Sequence, residues 1–183
     1  MHAELDAIPF RLMDGTHATL ADYRGKVVLL VNVASQCGLT PQYAGLERLF
    51  EIRRDAGLEV IGFPANDFGA QEPGTNEEIA AFCSGTFGVA FPLAEKISVK
   101  GPGRHDLYAA LTAAQPVAQD PEQGAMRAKL AGYGFTQGDP SEVLWNFEKF
   151  LIGRDGRVVA RFNPDVAPDD PLLLEAIEAE LRA

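Results

Sequence analysis

A continuous apolar run at residues 27–34 is the feature that most limits how this chain can fold. Its β-branched residues favour a strand, and the lack of polar alternation indicates that both faces of that strand are covered. A second run of this kind occupies residues 58–63, and apolar residues at helical spacing lie between the two, at 41–56. Because strand, helix and strand in succession form a right-handed crossover, the sequence predicts a β-α-β unit at the centre of an α/β fold.

The remaining elements are predicted from turn residues and helical spacing. Thr40 is the predicted N-cap of the first helix, Pro41 its first residue and Gly57 its end. Two hairpins are predicted, with strands 8–12 and 19–20 around Asp14-Gly15 at the N-terminus, and strands 143–153 and 158–162 around Asp155-Gly156. Further helices are predicted at 76–86, 103–113 and 169–181. Prolines and glycines interrupt residues 114–142, which is typical of a functional loop and also of disorder.

Composition narrows the classes of function. The chain has 183 residues, the size of one domain, and we expect a single domain over residues 1–183. Its formal charge of -10 disfavours nucleic acid and anionic membrane surfaces as partners. No stretch reaches the roughly 20 apolar residues of a membrane span, and the N-terminus lacks the features of a signal peptide. Two cysteines cannot form a disulfide scaffold, so we expect a reducing, cytoplasmic location.

Cys37 lies where the first buried strand gives way to the helix. Backbone N–H groups at a helix start favour negative charge, so a thiol at this turn can become a nucleophilic thiolate. A free cysteine is more commonly a small buried apolar residue, and position alone leaves both interpretations open. The polar loop at residues 64–74 leaves the second buried strand in the same way. Since sites in open α/β sheets form beyond the carboxyl ends of strands, we expect both loops to face one crevice.

Three separated motifs resemble those of a known family. They are NVASQCG at residues 32–38, FPANDFGAQEP at 63–73 and WNFEKFL at 145–151. In this order, and spread over nearly the whole chain, they are similar to the motifs of the glutathione peroxidase family in its cysteine rather than selenocysteine form. The resemblance implies a thioredoxin-like fold, with a central mixed β-sheet flanked by helices and the hairpin at its N-terminus.

The resemblance also implies a site and a reaction. The family's catalytic tetrad corresponds to Cys37, Gln71, Trp145 and Asn146. In the implied reaction the Cys37 thiolate attacks hydrogen peroxide or an organic hydroperoxide and becomes a sulfenic acid. The other three side chains carry N–H donors that can stabilise negative charge on the sulfur or the departing oxygen. Thioredoxin is the expected reductant and glutathione the alternative, and no cofactor is expected.

Cys83 is the candidate resolving residue. Many cysteine-type members of the family reduce the sulfenic acid through an internal disulfide, which thioredoxin then opens. The spacing of Cys83 differs by one residue from the plant-type pattern, and a disulfide needs Cα atoms within about 7 Å. The predicted helix at 76–86 would therefore have to open, and Gly85 and Gly88 could weaken its end. The other interpretation is a buried structural thiol.

Two positions depart from the family pattern. Ala65 stands where many relatives have another cysteine, which leaves Cys83 as the internal candidate for resolution. Asp67 stands where relatives often have glutamine, and we expect it to change loop contacts without removing the tetrad.

Other functions have less support from the residues. His2, His17 and His105 are scattered, and the sequence predicts no metal site. A cysteine hydrolase needs a positioned base, for which His105 is the internal candidate. Thr40 occupies the place of the second sulfur of a Cys-X-X-Cys motif, which argues against a dithiol-exchange protein. A redox relay or peroxide sensor that forms mixed disulfides with a partner protein is the alternative function.

Overall fold

A four-stranded mixed sheet forms the centre of the computed structural model, which describes residues 5–183. Its strands are β3 (Val27–Val33), β4 (Leu58–Pro64), β5 (Lys149–Ile152) and β6 (Val158–Phe162), in the spatial order β4-β3-β5-β6. Strands β3 and β4 are parallel, whereas β5 is antiparallel to both β3 and β6. The predicted β-α-β unit and the mixed sheet are therefore confirmed.

Among the described residues, helices and a small hairpin surround this sheet. The helices are α1 (Gln42–Arg53), α2 (Asn76–Phe87), α3 (Asp106–Ala114), α4 (Ala125–Gly132) and α5 (Pro171–Arg182). The hairpin pairs β1 (Phe10–Arg11) with β2 (His17–Ala18). The second strand lies at residues 17–18 instead of the predicted 19–20, because Thr19 and Asp22 form a capping box that starts a 3-10 helix at Leu20–Tyr23.

Strand β3 is buried along its whole length, as its apolar run predicts. It pairs with β4 on one side and β5 on the other, and each fully buried aliphatic side chain contributes about 1.5–3 kcal/mol to folding. The parallel register brings Val33 opposite Pro64, so the carboxyl ends of both strands lie at one edge of the sheet. The loops that carry Cys37 and Gln71 start from this edge.

The start of α1 differs from the prediction. The helix begins at Gln42, with Pro41 rather than Thr40 at the N-cap. The Thr40 hydroxyl instead accepts the Cys37 N–H at 2.9 Å and donates to the Ala34 carbonyl at 2.8 Å. Thr40 therefore fixes the turn that holds Cys37 and does not cap the helix.

Residues 114–142 contain a helix that the sequence pattern did not predict. Gly124 adopts a left-handed φ of +89° before α4, and its N–H donates to Asp120 Oδ2 at 2.7 Å. Gly134 adopts a φ of +88° just after the helix. These glycines bound the helix instead of breaking it. Because α4 is short and buries only Leu130, its periodicity gives a weak signal in the sequence.

The second hairpin is confirmed, but its first strand starts at Lys149 instead of residue 143. Phe147 has a left-handed φ of +69°, which takes the chain out of extended conformation just before β5. Gly156 adopts a φ of +83° in the predicted turn. Residues 143–148 thus form a loop that enters β5 at the same sheet edge as the Cys37 turn.

Within residues 5–183, no helix combines the length and the apolar character that crossing a bilayer requires.

Candidate active site

Cys37 lies in the turn between β3 and α1, with 8% of its surface exposed. Its Sγ accepts the Leu39 N–H at 3.3 Å, and its carbonyl accepts the Thr40 N–H at 3.1 Å. These turn contacts separate Cys37 from the helix start, so the nearest backbone donor is the Leu39 N–H instead of the first turn of α1. A donor aimed at the sulfur stabilises negative charge on it.

Gln71 lies in the loop after β4, and its backbone is tied to the Cys37 turn. The Gln71 carbonyl accepts the Gln36 N–H at 3.0 Å. Just before it, Gly69 and Ala70 both adopt left-handed φ values, of +65° and +52°. A Cβ on Gly69 would meet Trp145 Cη2 at 3.4 Å, so glycine here also lets the indole approach closely.

Asn146 orients the Gln71 side chain through a hydrogen bond. Asn146 is fully buried, and its Nδ2 donates to Gln71 Oε1 at 2.9 Å. With its Oε1 occupied in this way, the Gln71 amide keeps its Nε2 donor free for the cavity beside Cys37. The structure thus brings Gln71 and Asn146 into direct contact, with Gln71 next to the cavity.

Trp145 is held on two sides. Its ring lies 5.5 Å from Phe68 and 4.7 Å from Phe135, measured between ring centroids. The backbone is fixed as well, because Asn32 Nδ2 donates to the Trp145 carbonyl at 3.1 Å and the Phe147 N–H donates to the Asn32 carbonyl. Only 7% of Trp145 is exposed, so the indole has little freedom to move.

A cavity of about 710 Å³ joins Cys37, Gln71 and Trp145. Its walls are largely apolar, with Lys129 and Asp165 as the charged members. The side of the cavity that α4 and the following turn supply was not predicted from the sequence, and its residues are Ala125, Met126, Lys129, Leu130, Tyr133 and Phe135. The spacing of Met126, Leu130 and Tyr133 is helical, but the glycines on either side hid that signal.

Cys83 is placed away from this cavity. It is 1% exposed in α2, and the residues that line the cavity among those described do not include it. Burial raises the pKa of the Cys83 thiol to about 11, an effect that the neighbouring Tyr43 hydroxyl partly offsets. Cys37 and Cys83 are both free thiols. In this conformation Cys83 is a buried thiol that burial keeps protonated at neutral pH.

His105 has a structural role. Its Nδ1 accepts the Leu107 N–H at 3.1 Å and so caps α3. It does not line the cavity with Cys37, which weakens the cysteine-hydrolase hypothesis. In the part of the chain from residue 5 onward, no group of three or more His, Cys, Asp or Glu side chains is arranged to hold a metal ion.

Asp67 anchors its loop to the segment before α3. Its carboxylate accepts the Val99 N–H at 2.7 Å and the Ser98 hydroxyl at 2.8 Å. Ala65, the other departure from the family pattern, is buried next to the end of β4.

Solved structures define the class of fold. A crystal structure of Trgpx in its apo form aligns with a TM-score of 0.69 and 30% identity, covering 97% of this chain and 95% of that one. A thioredoxin-family thiol:disulfide interchange protein from Chlorobium tepidum aligns with a TM-score of 0.60 over 95% and 92% of the two chains. At 14% identity that second likeness is one of fold alone. The fold is thioredoxin-like.

Sequence comparisons define the family. The glutathione peroxidase family model matches residues 6–112. The thioredoxin/glutathione peroxidase BtuE of Escherichia coli (strain K12) is 50% identical over 92% of both chains. The hydroperoxy fatty acid reductase gpx1 of Synechocystis sp. is 45% identical, over 86% of this chain and 85% of the relative. The chain belongs to the glutathione peroxidase family and is a peroxidase.

Proposed function

We propose that Cys37 is the peroxidatic residue of a thiol-dependent peroxidase acting on hydrogen peroxide and organic hydroperoxides. The observation that carries the proposal is the shared cavity that Cys37, Gln71 and Trp145 line. The Cys37 thiolate attacks the outer peroxide oxygen and the O–O bond breaks. Its electron pair leaves with the inner oxygen, which takes a proton and departs as water or an alcohol. The sulfur gains one oxygen and becomes a sulfenic acid.

Two residues that line the cavity carry N–H donors that support this step. Gln71 Nε2 and the Trp145 indole N–H can each hydrogen-bond the sulfur or the departing oxygen, and neither brings a negative charge to the site. A fixed donor of this kind can lower the barrier by about 3 kcal/mol in favourable cases. Asn146 acts indirectly, because its hydrogen bond to Gln71 Oε1 holds that amide in the productive orientation.

For the return to the thiol, we propose resolution by Cys83 and recycling by thioredoxin. The Cys83 sulfur displaces the sulfenic oxygen as water and forms a disulfide with Cys37, and the thioredoxin dithiol then reduces that disulfide. The name of the E. coli relative, which includes both thioredoxin and glutathione, supports these two reductants. With glutathione, one tripeptide thiol displaces the sulfenic oxygen as water and forms a mixed disulfide with Cys37, and a second glutathione thiol then releases the Cys37 thiol and glutathione disulfide.

The apolar cavity supports a hydroperoxide with a long hydrocarbon chain as a substrate. Met126, Leu130 and Phe135 offer a surface for such a chain, and Lys129 places a cation on the same wall. Two Synechocystis relatives are named hydroperoxy fatty acid reductases. We therefore propose that Lys129 pairs with the carboxylate of a fatty acid hydroperoxide.

The burial of Cys83 favours a second candidate function. If α2 stays closed, the Cys37 sulfenic acid persists until a thiol from outside the molecule reacts with it. The protein would then act as a peroxide sensor that passes its oxidation to a partner through a mixed disulfide.

Two serine variants and one assay separate these functions. Reduced protein is mixed with peroxide in a stopped-flow instrument, and the fluorescence of Trp145, the single tryptophan, is followed. Thioredoxin and glutathione are then supplied separately, and mass spectrometry identifies the oxidised product. Cys37→Ser should abolish turnover, whereas Cys83→Ser should keep the first oxidation and lose turnover on thioredoxin.

Full peroxidase activity in Cys37→Ser would contradict the mechanism. Equal thioredoxin turnover in Cys83→Ser would exclude internal resolution, and a stable mixed disulfide with a partner would favour the sensor. In the same assay a fatty acid hydroperoxide should react faster than its methyl ester. Equal rates for the acid and the ester would remove the role of Lys129.

A further inference from the structure

Arg161, in β6, holds both ends of the segment that covers the cavity. Only 1% of its surface is exposed. Its Nη1 donates to the Gln115 carbonyl at 3.0 Å and to the Ser141 carbonyl at 2.9 Å. Its Nη2 donates to the Glu142 carbonyl and to Glu148 Oε2, each at 2.9 Å. One guanidinium therefore joins the chain where it leaves the compact core after α3 to the chain where it returns before Trp145.

Part of the chain between these two ends lines the cavity that contains Cys37. We define the wall segment as residues 125–135, which comprises α4 and the turn that ends in Phe135. Six of its residues line the cavity together with Cys37, and the Phe135 ring lies 4.7 Å from the Trp145 ring, measured between centroids. Leu130 is its buried residue, so the wall segment has few apolar contacts of its own to keep it in place.

We propose that Arg161 is a positioning residue that sets the wall segment over the cavity and thereby determines the use of large hydroperoxides relative to hydrogen peroxide. Hydrogen peroxide needs only Cys37 and the donors beside it, whereas a substrate with a hydrocarbon chain also contacts the wall. This inference rests on the proposed function of Cys37.

The four hydrogen bonds from the Arg161 guanidinium, which we call the clamp, require arginine. A planar guanidinium presents several donors in a rigid fork, so it can fix two limbs of chain at a set separation. A lysine ammonium on a flexible stem has fewer donors and cannot reproduce that geometry. Glu148 balances the charge in the buried site, and a buried ion pair that loses one partner is strongly destabilising. A test must therefore keep the charge or remove both partners.

Arg161→Lys keeps the positive charge and loses the planar set of guanidinium donors. We expect kcat/KM for a long-chain hydroperoxide to fall by about tenfold, mainly through a higher KM, with kcat/KM for hydrogen peroxide within about twofold of the wild-type value. Amide hydrogen exchange across residues 125–135 should become faster, while exchange in α2 stays unchanged.

Arg154→Lys is the matched control. Arg154 also donates to three backbone carbonyls, those of Gly25, Ala56 and Leu181, but it lies in the β5–β6 turn at the opposite end of the sheet. Its replacement should leave the ratio of the two substrates unchanged. If Arg161→Lys does not fold, the double variant Arg161→Met/Glu148→Met removes the clamp without leaving a buried charge, and the same split between substrates is expected.

Equal losses on both substrates, or unchanged exchange in the wall segment, would overturn the positioning role. Failure of the proposed function itself gives a different result. In that case Cys37→Ser would keep its turnover of hydrogen peroxide, whatever happens to the substrate ratio in the Arg161 variants.

Discussion

At the scale of single residues, the turn that carries Cys37 depends on a hydroxyl that the sequence pattern assigned to a helix cap. Thr40 is 6% exposed and bridges the Cys37 N–H and the Ala34 carbonyl. Both groups would be unpaired without it. The side chain thereby fixes the backbone on which the reactive sulfur sits.

Thr40→Val should weaken both stability and reactivity. Valine has nearly the same shape but leaves the Cys37 N–H and the Ala34 carbonyl without a partner, which costs about 3 kcal/mol in total. The bimolecular rate of the thiol with peroxide should also fall, because the sulfur loses its fixed position. Urea denaturation and single-turnover kinetics measure the two effects. Thr40→Ser, which keeps the hydroxyl, should lose about 1 kcal/mol or less, and equal losses in both variants would contradict the bridge.

Burial of the Cys83 thiol makes stability fall at alkaline pH. The folded protein keeps this proton up to a pKa of about 11, whereas the exposed thiol of the unfolded chain loses it near its ordinary value of 9.0. Between these values the folded state binds more protons than the unfolded state. The free energy of unfolding therefore decreases as pH rises, by up to about 1.4 kcal/mol per pH unit.

Denaturation midpoints measured from pH 8 to pH 11 test this linkage. Burial also raises the pKa of Tyr43 well above its ordinary value, so part of the decrease belongs to the tyrosine. Cys83→Ala should reduce the slope between pH 9 and pH 11 relative to the wild-type protein. An unchanged slope would show that the thiol is not protonated in the folded state across this range.

At the scale of elements, helix α2 controls access to Cys83. The helix ends at Gly88, which adopts a left-handed φ of +61°, and the Val89 N–H donates to the Cys83 carbonyl at 3.2 Å. Gly85 lies inside the helix on its exposed side. The predicted weakening therefore applies to Gly85, while Gly88 terminates the helix.

Two alanine variants should move the opening of α2 in opposite directions. A Cβ at either position meets no atom within 4 Å, so each change acts through the backbone alone. Gly88→Ala strains a left-handed residue by about 1 kcal/mol, and Gly85→Ala stabilises the helix by about 0.5–1 kcal/mol. Disulfide formation after one peroxide equivalent, followed by mass spectrometry, should be faster in the first and slower in the second, by roughly threefold. Equal rates would mean that Cys83 is not released by opening of the helix.

The elements that the sequence predicted well are those whose structure leaves a pattern in their own residues. Strands β3 and β4 are buried on both faces, so burial leaves a continuous apolar run in each. Parallel pairing of these strands then predicts that Cys37 and Gln71 meet at one edge. The wall segment has no pattern of its own that predicts where it lies, because its position depends on the distant Arg161 and on contacts with Trp145. The contact of Asn146 with Gln71 is likewise long-range, and the motifs alone identified Asn146.

At the scale of the whole molecule, the antiparallel addition of β5 completes the site. Trp145 and Asn146 lie in the loop that leads into β5, and β5 pairs with β3 from Lys149 onward. Lys149 is fully buried, and its Nζ donates to Gln42 Oε1 at 2.7 Å and to the carbonyls of Pro164 and Val166. This anchors the third motif to the start of α1. The candidate site therefore combines residues that follow the parallel strands β3 and β4 with residues that precede the antiparallel strand β5.

Because of that sheet order, catalytic activity requires the sheet to be fully assembled. The contact between Asn32 and Trp145 joins residues 113 positions apart, and the one between Asn146 and Gln71 joins residues 75 apart. Contacts of such long sequence separation close late, because the entropy of loop closure has to be overcome first. A chain that has formed its β-α-β unit but has not yet docked β5 lacks Trp145 at the site and the contact through which Asn146 orients Gln71. Under the proposed mechanism, peroxidase activity therefore appears only once β5 has paired with β3.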